Sequence, residues 1–143
     1  MVYLREYSNL LQMIYLRELI YQTQMTTPDL IYKIQNINID PTDDLWVDSA
    51  APQVIEELKR AGINAKPVKK HTILHGIDMI KRHRVFIHKD STNLLDEFQN
   101  YKWKQNKDGK IIDQPEDLNN HAIDSVRYAL EMSNKPKTTY SFL

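Results

Sequence analysis

Asp48 and Asp124 are the residues of this chain whose types and settings best suit chemistry. Asp48 stands in Leu45-Trp46-Val47-Asp48-Ser49-Ala50-Ala51-Pro52, where a β-favouring apolar run ends at an acid followed by small residues and a proline. That pattern puts the carboxylate at the exposed end of a strand. Asp124 stands in Asn119-Asn120-His121-Ala122-Ile123-Asp124-Ser125-Val126-Arg127-Tyr128. There Ala122, Val126 and Ala129 recur at helical spacing as a buried stripe, which turns His121, Asp124 and Tyr128 onto a neighbouring face. Two carboxylates brought together in a partly dry cleft repel, and a divalent cation relieves that repulsion while activating water. The chemistry expected is metal-assisted hydrolysis of a phosphodiester, with Asp48 and Asp124 as the metal ligands. Each acid also has a plain alternative: Asp48 as the cap of a helix opening at Pro52, Asp124 as a solvated acid paired with Arg127 or Tyr128.

The remaining titratable residues carry less. His71 and His75 have the i, i+4 spacing of a metal pair and His83 and His88 follow, but no Glu completes a His-Glu-x-x-His arrangement, and zinc is not expected there. Lys66, Lys69 and Lys70 form a small basic cluster that could contact DNA phosphates or simply solvate a turn. Trp46 and Trp103 read as core residues more readily than as base-stacking platforms.

The elements that must position these residues alternate. Met13 to Tyr21 is rich in β-formers, and Val2 to Tyr7 contains the same Tyr-Leu-Arg-Glu tetrapeptide, so the two copies are expected to pair as a hairpin. Thr27-Pro28-Asp29 supplies a cap, a proline and an acid that open a helix to about Gln35. The Leu45 to Asp48 strand follows the Asp40-Pro41 turn. Pro52 starts a helix closed by Gly62, and Ala65 to Val68 is a short strand. Thr72 caps a helix over Ile73 to Lys81 with Ile73, Ile77 and Ile80 as its core stripe. Arg84 to His88 is a strand, and Ser91 caps a helix to about Gln99. Trp103 and Ile111-Ile112 flank an Asn106-Lys107-Asp108-Gly109 turn as a hairpin. The last helix runs from near Leu118 to Met132. Residues 134–143 are polar and proline-containing, and are expected to be a flexible tail. Strands separated by helices of this length imply an α/β sandwich with a mixed sheet.

Composition bounds the reading. The 143 residues suit one domain, here residues 1–133, and 41% hydrophobic content is enough for a core. Nineteen basic and nineteen acidic residues balance, so any affinity for nucleic acid has to come from a local patch. The absence of cysteine removes disulfides and thiolate metal sites, leaving oxygen and imidazole as metal ligands. No stretch reaches the roughly 18 apolar residues of a membrane span, and acids and arginines through Met1 to Tyr21 are unlike a signal peptide. A cytoplasmic protein is expected.

Several of these segments, in this order, resemble the C-terminal nuclease domain of the large terminase subunit of tailed bacteriophages. They are Val47-Asp48-Ser49-Ala50-Ala51-Pro52, Ile55-Glu56-Glu57-Leu58 with Gly62, Lys69-Lys70 with Ile73 and Gly76-Ile77, Asn93-Leu94 with Glu97, Tyr101-Lys102-Trp103, and Asn120-His121-Ala122-Ile123-Asp124-Ser125-Val126-Arg127-Tyr128. The resemblance covers about Tyr15 to Met132. It implies a ribonuclease H-like mixed sheet flanked by helices, and two divalent ions, Mg2+ or Mn2+, in an acidic cluster that cuts concatemeric phage DNA during packaging. It matches Asp48 to the strand-end acid, Asp124 to the last-helix acid and His121 to the preceding histidine. Double-stranded DNA, and the portal or small terminase subunit, are the partners implied.

The departures from that pattern are specific. The family ordinarily begins its nuclease domain with a strand bearing a first, metal-bridging aspartate, and this chain has no aspartate before Asp29. Glu6 and Glu18 are the only earlier acids, which makes Glu18 the first suspect for a replacement ligand. The three glycines, Gly62, Gly76 and Gly109, cannot form a Gly-x-x-x-x-Gly-Lys loop, so no packaging motor is expected. The expectation is therefore an N-terminally truncated nuclease domain with weak activity, or a catalytically impaired prophage remnant that acts at most as a DNA- or protein-binding module. If the first strand is missing, its neighbour should form an exposed edge, open to homodimerisation, or be covered by Val2 to Tyr7.

Overall fold

The computed structural model describes the backbone of residues 1–8, 12–101, 103–105, 111–115, 121–132 and 138–142, and side chains at 1–2, 12–101 and 121–132. Its strands are β1 (Val2–Ser8), β2 (Met13–Glu18), β3 (Asp44–Val47), β4 (Ala65–Pro67), β5 (Arg84–Ile87), β6 (Trp103–Gln105), β7 (Ile111–Pro115) and β8 (Thr138–Phe142). Its helices are α1 (Thr27–Gln35), α2 (Pro52–Arg60), α3 (Ile73–Lys81), α4 (Thr92–Asn100) and α5 (His121–Met132). Six strands form one mixed sheet in the order β4-β3-β8-β1-β2-β5, and β6 pairs with β7 separately.

Helices cover both faces of the sheet, because alternate residues of each strand point to opposite sides. Val2, Ile14 and Leu16 pack with Ile77, Ile80 and Leu94 and with Ala122, Ile123, Val126, Ala129 and Leu130 of α5. On the other face Leu45, Val47 and Ala65 pack with Leu30 and Ile34 of α1 and Ile55 and Leu58 of α2. This is the mixed sheet flanked by helices that the alternation of elements implies.

Local chemistry explains the boundaries. The cap of α1 is Thr26, one residue ahead of the expected Thr27: its hydroxyl accepts from Asp29 N at 3.3 Å and its own N–H donates to Asp29 Oδ2 at 3.2 Å, a capping box. Gly62 follows α2 at φ +81°, a conformation open to glycine at little cost. Thr72 caps α3 through His75 N at 3.2 Å. Ser91 precedes α4 without a side-chain cap, since its Oγ accepts from Glu18 N at 3.0 Å. The cap of α4 is Glu18 itself, whose Oε2 accepts from Leu94 N at 2.8 Å while Oε1 accepts from Asn93 Nδ2 at 2.7 Å. A carboxylate suits that position because the helix N-terminus is positive.

One expectation about the sheet is corrected. Residues 134–143 do not form only a loose tail, because Thr138–Phe142 is β8, antiparallel to β1 and parallel to β3 in the middle of the sheet. Its backbone supplies ladder hydrogen bonds to both neighbours, which a polar sequence does as well as an apolar one. Of the two outcomes expected beside a missing first strand, an exposed edge or cover by Val2 to Tyr7, the second holds for β2, which pairs with β1 as the anticipated hairpin; β8 lies on the far side of β1, and the edges are β4 and β5. The β6–β7 hairpin is present, while its 106–109 turn and residues 118–120 lie outside the described residues.

Candidate functional site

β3 ends at Val47, so Asp48 emerges at the carboxyl end of a strand whose Leu45 and Val47 are fully buried. Asp48 Oδ1 accepts from Ala50 N at 2.8 Å, a local turn that fixes the side chain before Pro52 opens α2. β4 runs parallel to β3, and Val68 N donates to Val47 O at 2.9 Å. That continuation carries the next residues past Asp48 and sets Lys70 Nζ 2.8 Å from Asp48 Oδ1. Partial burial opposes ionisation of Asp48, but the Lys70 ammonium, the Ala50 amide and the Tyr128 hydroxyl outweigh it and hold the carboxyl below its ordinary range.

α5 brings the second acid. Arg127 is buried and donates to Asp124 Oδ1 from Nε at 3.0 Å and from a terminal nitrogen at 2.6 Å. Its other terminal nitrogen lies 3.8 Å from Glu131 Oε1, and its guanidinium carbon 5.5 Å from the Tyr128 ring centroid. The Tyr128 hydroxyl faces Asp48 Oδ2 at 3.4 Å, a long contact. Burial first, then the charges of Asp48 and Asp124, push its phenol up to about 12, so it stays protonated and acts as a donor. Two acids 76 positions apart in sequence thus bear on one hydroxyl.

The donors suit a hard divalent cation in kind, being carboxylate oxygens. Lys70 and Ala50 fall on Oδ1 of Asp48, and both Arg127 bonds fall on Oδ1 of Asp124, so Oδ2 is the less engaged oxygen of each acid. The set is small, however. Among the described residues no group of three or more His, Asp or Glu side chains is gathered as a metal cluster, so the residues fit one weakly held ion better than two.

His121 stands at the start of α5, exposed, and lines a recess of about 620 Å³ with Glu18, Tyr21, Glu97, Ala122 and Ser125. Neither Asp48 nor Asp124 lines that recess. Glu18, the suspected replacement ligand, is there too, with both oxygens engaged at the start of α4. Of the three lysines, Lys66 binds Asp44 Oδ1 at 2.6 Å and lies 5.6 Å from the Trp46 centroid. Lys70 is on Asp48, and Lys69 is exposed without an ion pair to a described residue. His71 and His75 have ring centroids 5.1 Å apart.

Three functional supports escaped the sequence reading. Glu97 is 3% exposed and its Oε2 accepts from Ala122 N at 2.8 Å and Ile123 N at 3.0 Å, capping α5, while Tyr21 OH donates to Oε1 at 3.0 Å. The available signal was its i, i+3 spacing from buried Leu94, which puts a charge on the apolar stripe. The pairing of Asp124 with Arg127 is present as the alternative for a solvated Asp124 had it, but Arg127 is itself buried and is held against Glu131, whose side chain has no exposure. Gly76 is the third. A Cβ there would lie 2.6 Å from Glu131 Oε1 and 2.7 Å from Arg127 Cδ, so α3 approaches α5 at a point where any larger residue would force Glu131 and Arg127 to shift.

Comparison with known proteins places the arrangement. Residues 10–132 match the family model described as a terminase RNAseH like domain. Among solved structures the chain is similar to the nuclease domain of the large terminase of bacteriophage SPP1, solved with bound Mn. The identity is 23% and the TM-score 0.80, over 91% of this chain and 77% of that one. It is also similar to the large terminase of the thermophilic bacteriophage D6E, solved with ADP, at 19% identity and TM-score 0.69 over 89% of this chain. The chain spans 34% of the length of the D6E protein. No curated protein matches it. The ribonuclease H-like fold is thereby established. Among the described residues no helix is long and apolar enough to cross a membrane.

Proposed function

Because the chain belongs to the family of terminase ribonuclease H-like domains, we propose that it is the DNA-cutting module of a DNA-packaging terminase, acting through Asp48 and Asp124 with Mg2+ or Mn2+. The observation that carries this reading is the Tyr128 hydroxyl, on which the strand-end acid and the helix acid both bear. A divalent ion held by the two carboxylates would supply the positive charge that acidifies water and offsets phosphate charge.

The chain's own residues do the rest. Asp48 and Asp124 bind and orient; Tyr128, protonated at any working pH, keeps a donor toward Asp48. Arg127 fixes the Asp124 rotamer from within the core, and Lys70 holds Asp48 in the absence of an ion. His121, at the exposed start of α5, is the residue suited to move a proton once DNA is present. Lys69 is suited to a DNA phosphate. With two carboxylates rather than three, activity is weak, and Mn2+ serves better than Mg2+, which demands near-ideal octahedral geometry.

Nicking of supercoiled plasmid by the purified chain tests this. Slow nicking with Mn2+, slower with Mg2+, and none in Asp48→Ala or Asp124→Ala is expected. Cutting that survives both substitutions would move the site elsewhere, and rapid Mg2+-dependent cutting would mean a further acid completes it. The bacteriophage SPP1 domain was solved with bound Mn, which supports the choice of ion. Contact with a portal or small terminase subunit belongs to the same reading and is tested by co-purification.

A further inference from the structure

The half of the sheet made by β2 and β5 has one face in the core and one that carries exposed residues. Ile14 and Leu16 of β2 point into the core formed with α3, α4 and α5. The alternate residues Tyr15, Arg17, Arg84 and Phe86 point the other way, and of these Tyr15, Arg17 and Arg84 are exposed. There Tyr15 pairs in register with Phe86, and the two rings stack at 4.8 Å with an interplanar angle of 11°. Tyr15 is 40% exposed. Arg84 lies 5.4 Å from the Phe86 centroid, and Arg17 and Arg84 are both exposed.

Basic residues gather at this edge of the sheet. The chain as a whole is neutral, yet Arg82, Arg84 and Lys89 crowd one edge strand and its flanks, with Arg17 on the neighbouring strand. None of the four makes an ion pair with a described carboxylate. The acids of these segments are otherwise engaged: Glu18 caps α4, and Asp90 Oδ2 lies 3.7 Å from His88 Nδ1. A cationic edge strand also blocks sheet-to-sheet association, but that function requires no aromatic pair on the face. Stacked rings flanked by arginines are the composition of a platform for unpaired bases and their phosphates.

We propose that the Tyr15–Phe86 face, with Arg17 and Arg84, binds a single strand of DNA apart from the Asp48–Asp124 site. The choice of DNA among polyanions rests on the terminase reading; the platform itself does not. A duplex offers this face phosphates alone, whereas a single strand offers phosphates to the arginines and a base to Tyr15, so the single strand is the preferred ligand.

The test is fluorescence anisotropy of the full chain in EDTA with a labelled oligodeoxythymidine of about 15 nucleotides, and with a duplex of the same length. EDTA removes cleavage from the measurement. Tighter binding of the single strand is expected. Tyr15→Ala should weaken it roughly tenfold with little effect on the duplex, in line with the loss of one stacked base. Arg17→Gln with Arg84→Gln should reduce the slope of log affinity against log salt by about 1.4, two phosphates' worth for a single strand. Thermal melts establish that each variant is folded; where Tyr15→Ala melts, Tyr15→Leu, which keeps apolar bulk without an aromatic face, replaces it. Equal binding of strand and duplex, or folded variants that bind as the parent does, would overturn the proposal. Asp48→Ala should bind the single strand normally. Loss of cutting with binding retained, or the reverse, therefore separates failure of the nuclease reading from failure of this one.

Discussion

Lys70 Nζ lies 2.8 Å from Asp48 Oδ1, so one of the two acids proposed to hold a divalent ion already carries a cation from the chain itself. The lysine arrives because β4 runs parallel to β3 and its continuation passes the strand end where Asp48 emerges. An ion entering there has to displace an ammonium that is 47% exposed. Ion pairs at such exposure contribute about 0.2–1 kcal/mol. Lys70→Gln should therefore tighten Mn2+ binding by up to about fivefold, read by calorimetric titration or by the paramagnetic signal of free Mn2+. Unchanged or weaker binding would show that Lys70 does not occupy the ion's place.

Gly76→Ala probes the other acid through its support. The new Cβ would fall 2.6 Å from Glu131 Oε1 and within 3 Å of Arg127 Cδ and Cγ, all in the packed contact of α3 with α5. Overpacking of this kind costs about 1–3 kcal/mol. A lower melting temperature is expected, together with loss of nicking beyond what the unfolded fraction explains, because Arg127 aligns Asp124. Full activity at normal stability would mean that the helices part freely and Arg127 is not held.

Glu97→Ala strips two buried amides at the start of α5 of their acceptor. Leaving such donors unsatisfied costs about 1–3 kcal/mol, and Tyr21 loses its partner as well. Hydrogen exchange should rise first in Ala122 and Ile123. Exchange unchanged at those amides would show that the cap has another source.

How far the site was legible follows from these three residues. Asp48 and Asp124 could be placed because strand ends and helix faces are local patterns, set by periods of 2 and 3.6 residues. Lys70 was visible as a basic residue but not as the partner of Asp48, since that pairing depends on β4 lying parallel to β3. Glu97 looked like one more helix acid; its burial depends on α5 arriving from 25 residues away. Most helices and strands were legible for the same local reasons, including the β1–β2 hairpin. The strand order was not, because nothing local in Thr138–Phe142 says which gap in a sheet it fills.

The pH dependence of stability has two opposed contributions. Asp48 is held below its ordinary 3.8, despite partial burial, mainly by Lys70. Its contribution is present above pH 3.8 and is lost as pH falls through the folded value. Glu131 is the reverse case: burial raises it above 4.5 against the pull of Arg127, His71 and His75. The folded state holds that proton more tightly than the unfolded chain, so stability declines as pH rises from 4.5 through the folded value. Melting temperature against pH should show a shallower acid limb in Lys70→Gln and a smaller decline above pH 4.5 in Glu131→Gln. Profiles parallel to the parent's would remove these groups from the account.

Truncation after Met132 tests the centre of the sheet. β8 is the only link between β1 and β3 in the ladder order, so its removal divides the remaining five strands into β1-β2-β5 and β3-β4 and bares two strand edges. Those edges carry the buried Val2 and Val47, at 1% and 0% exposure, and an unpaired strand edge is a template for association. Asp48 follows directly on one of them, so the site should suffer with the sheet. The truncated chain is expected to melt well below the parent and to self-associate in light scattering, while a synthetic peptide of residues 134–143 added in trans restores the monomer. A truncated chain that stays monomeric and melts with the parent would mean that β8 contributes nothing to the sheet and that the two halves are held by α5 alone.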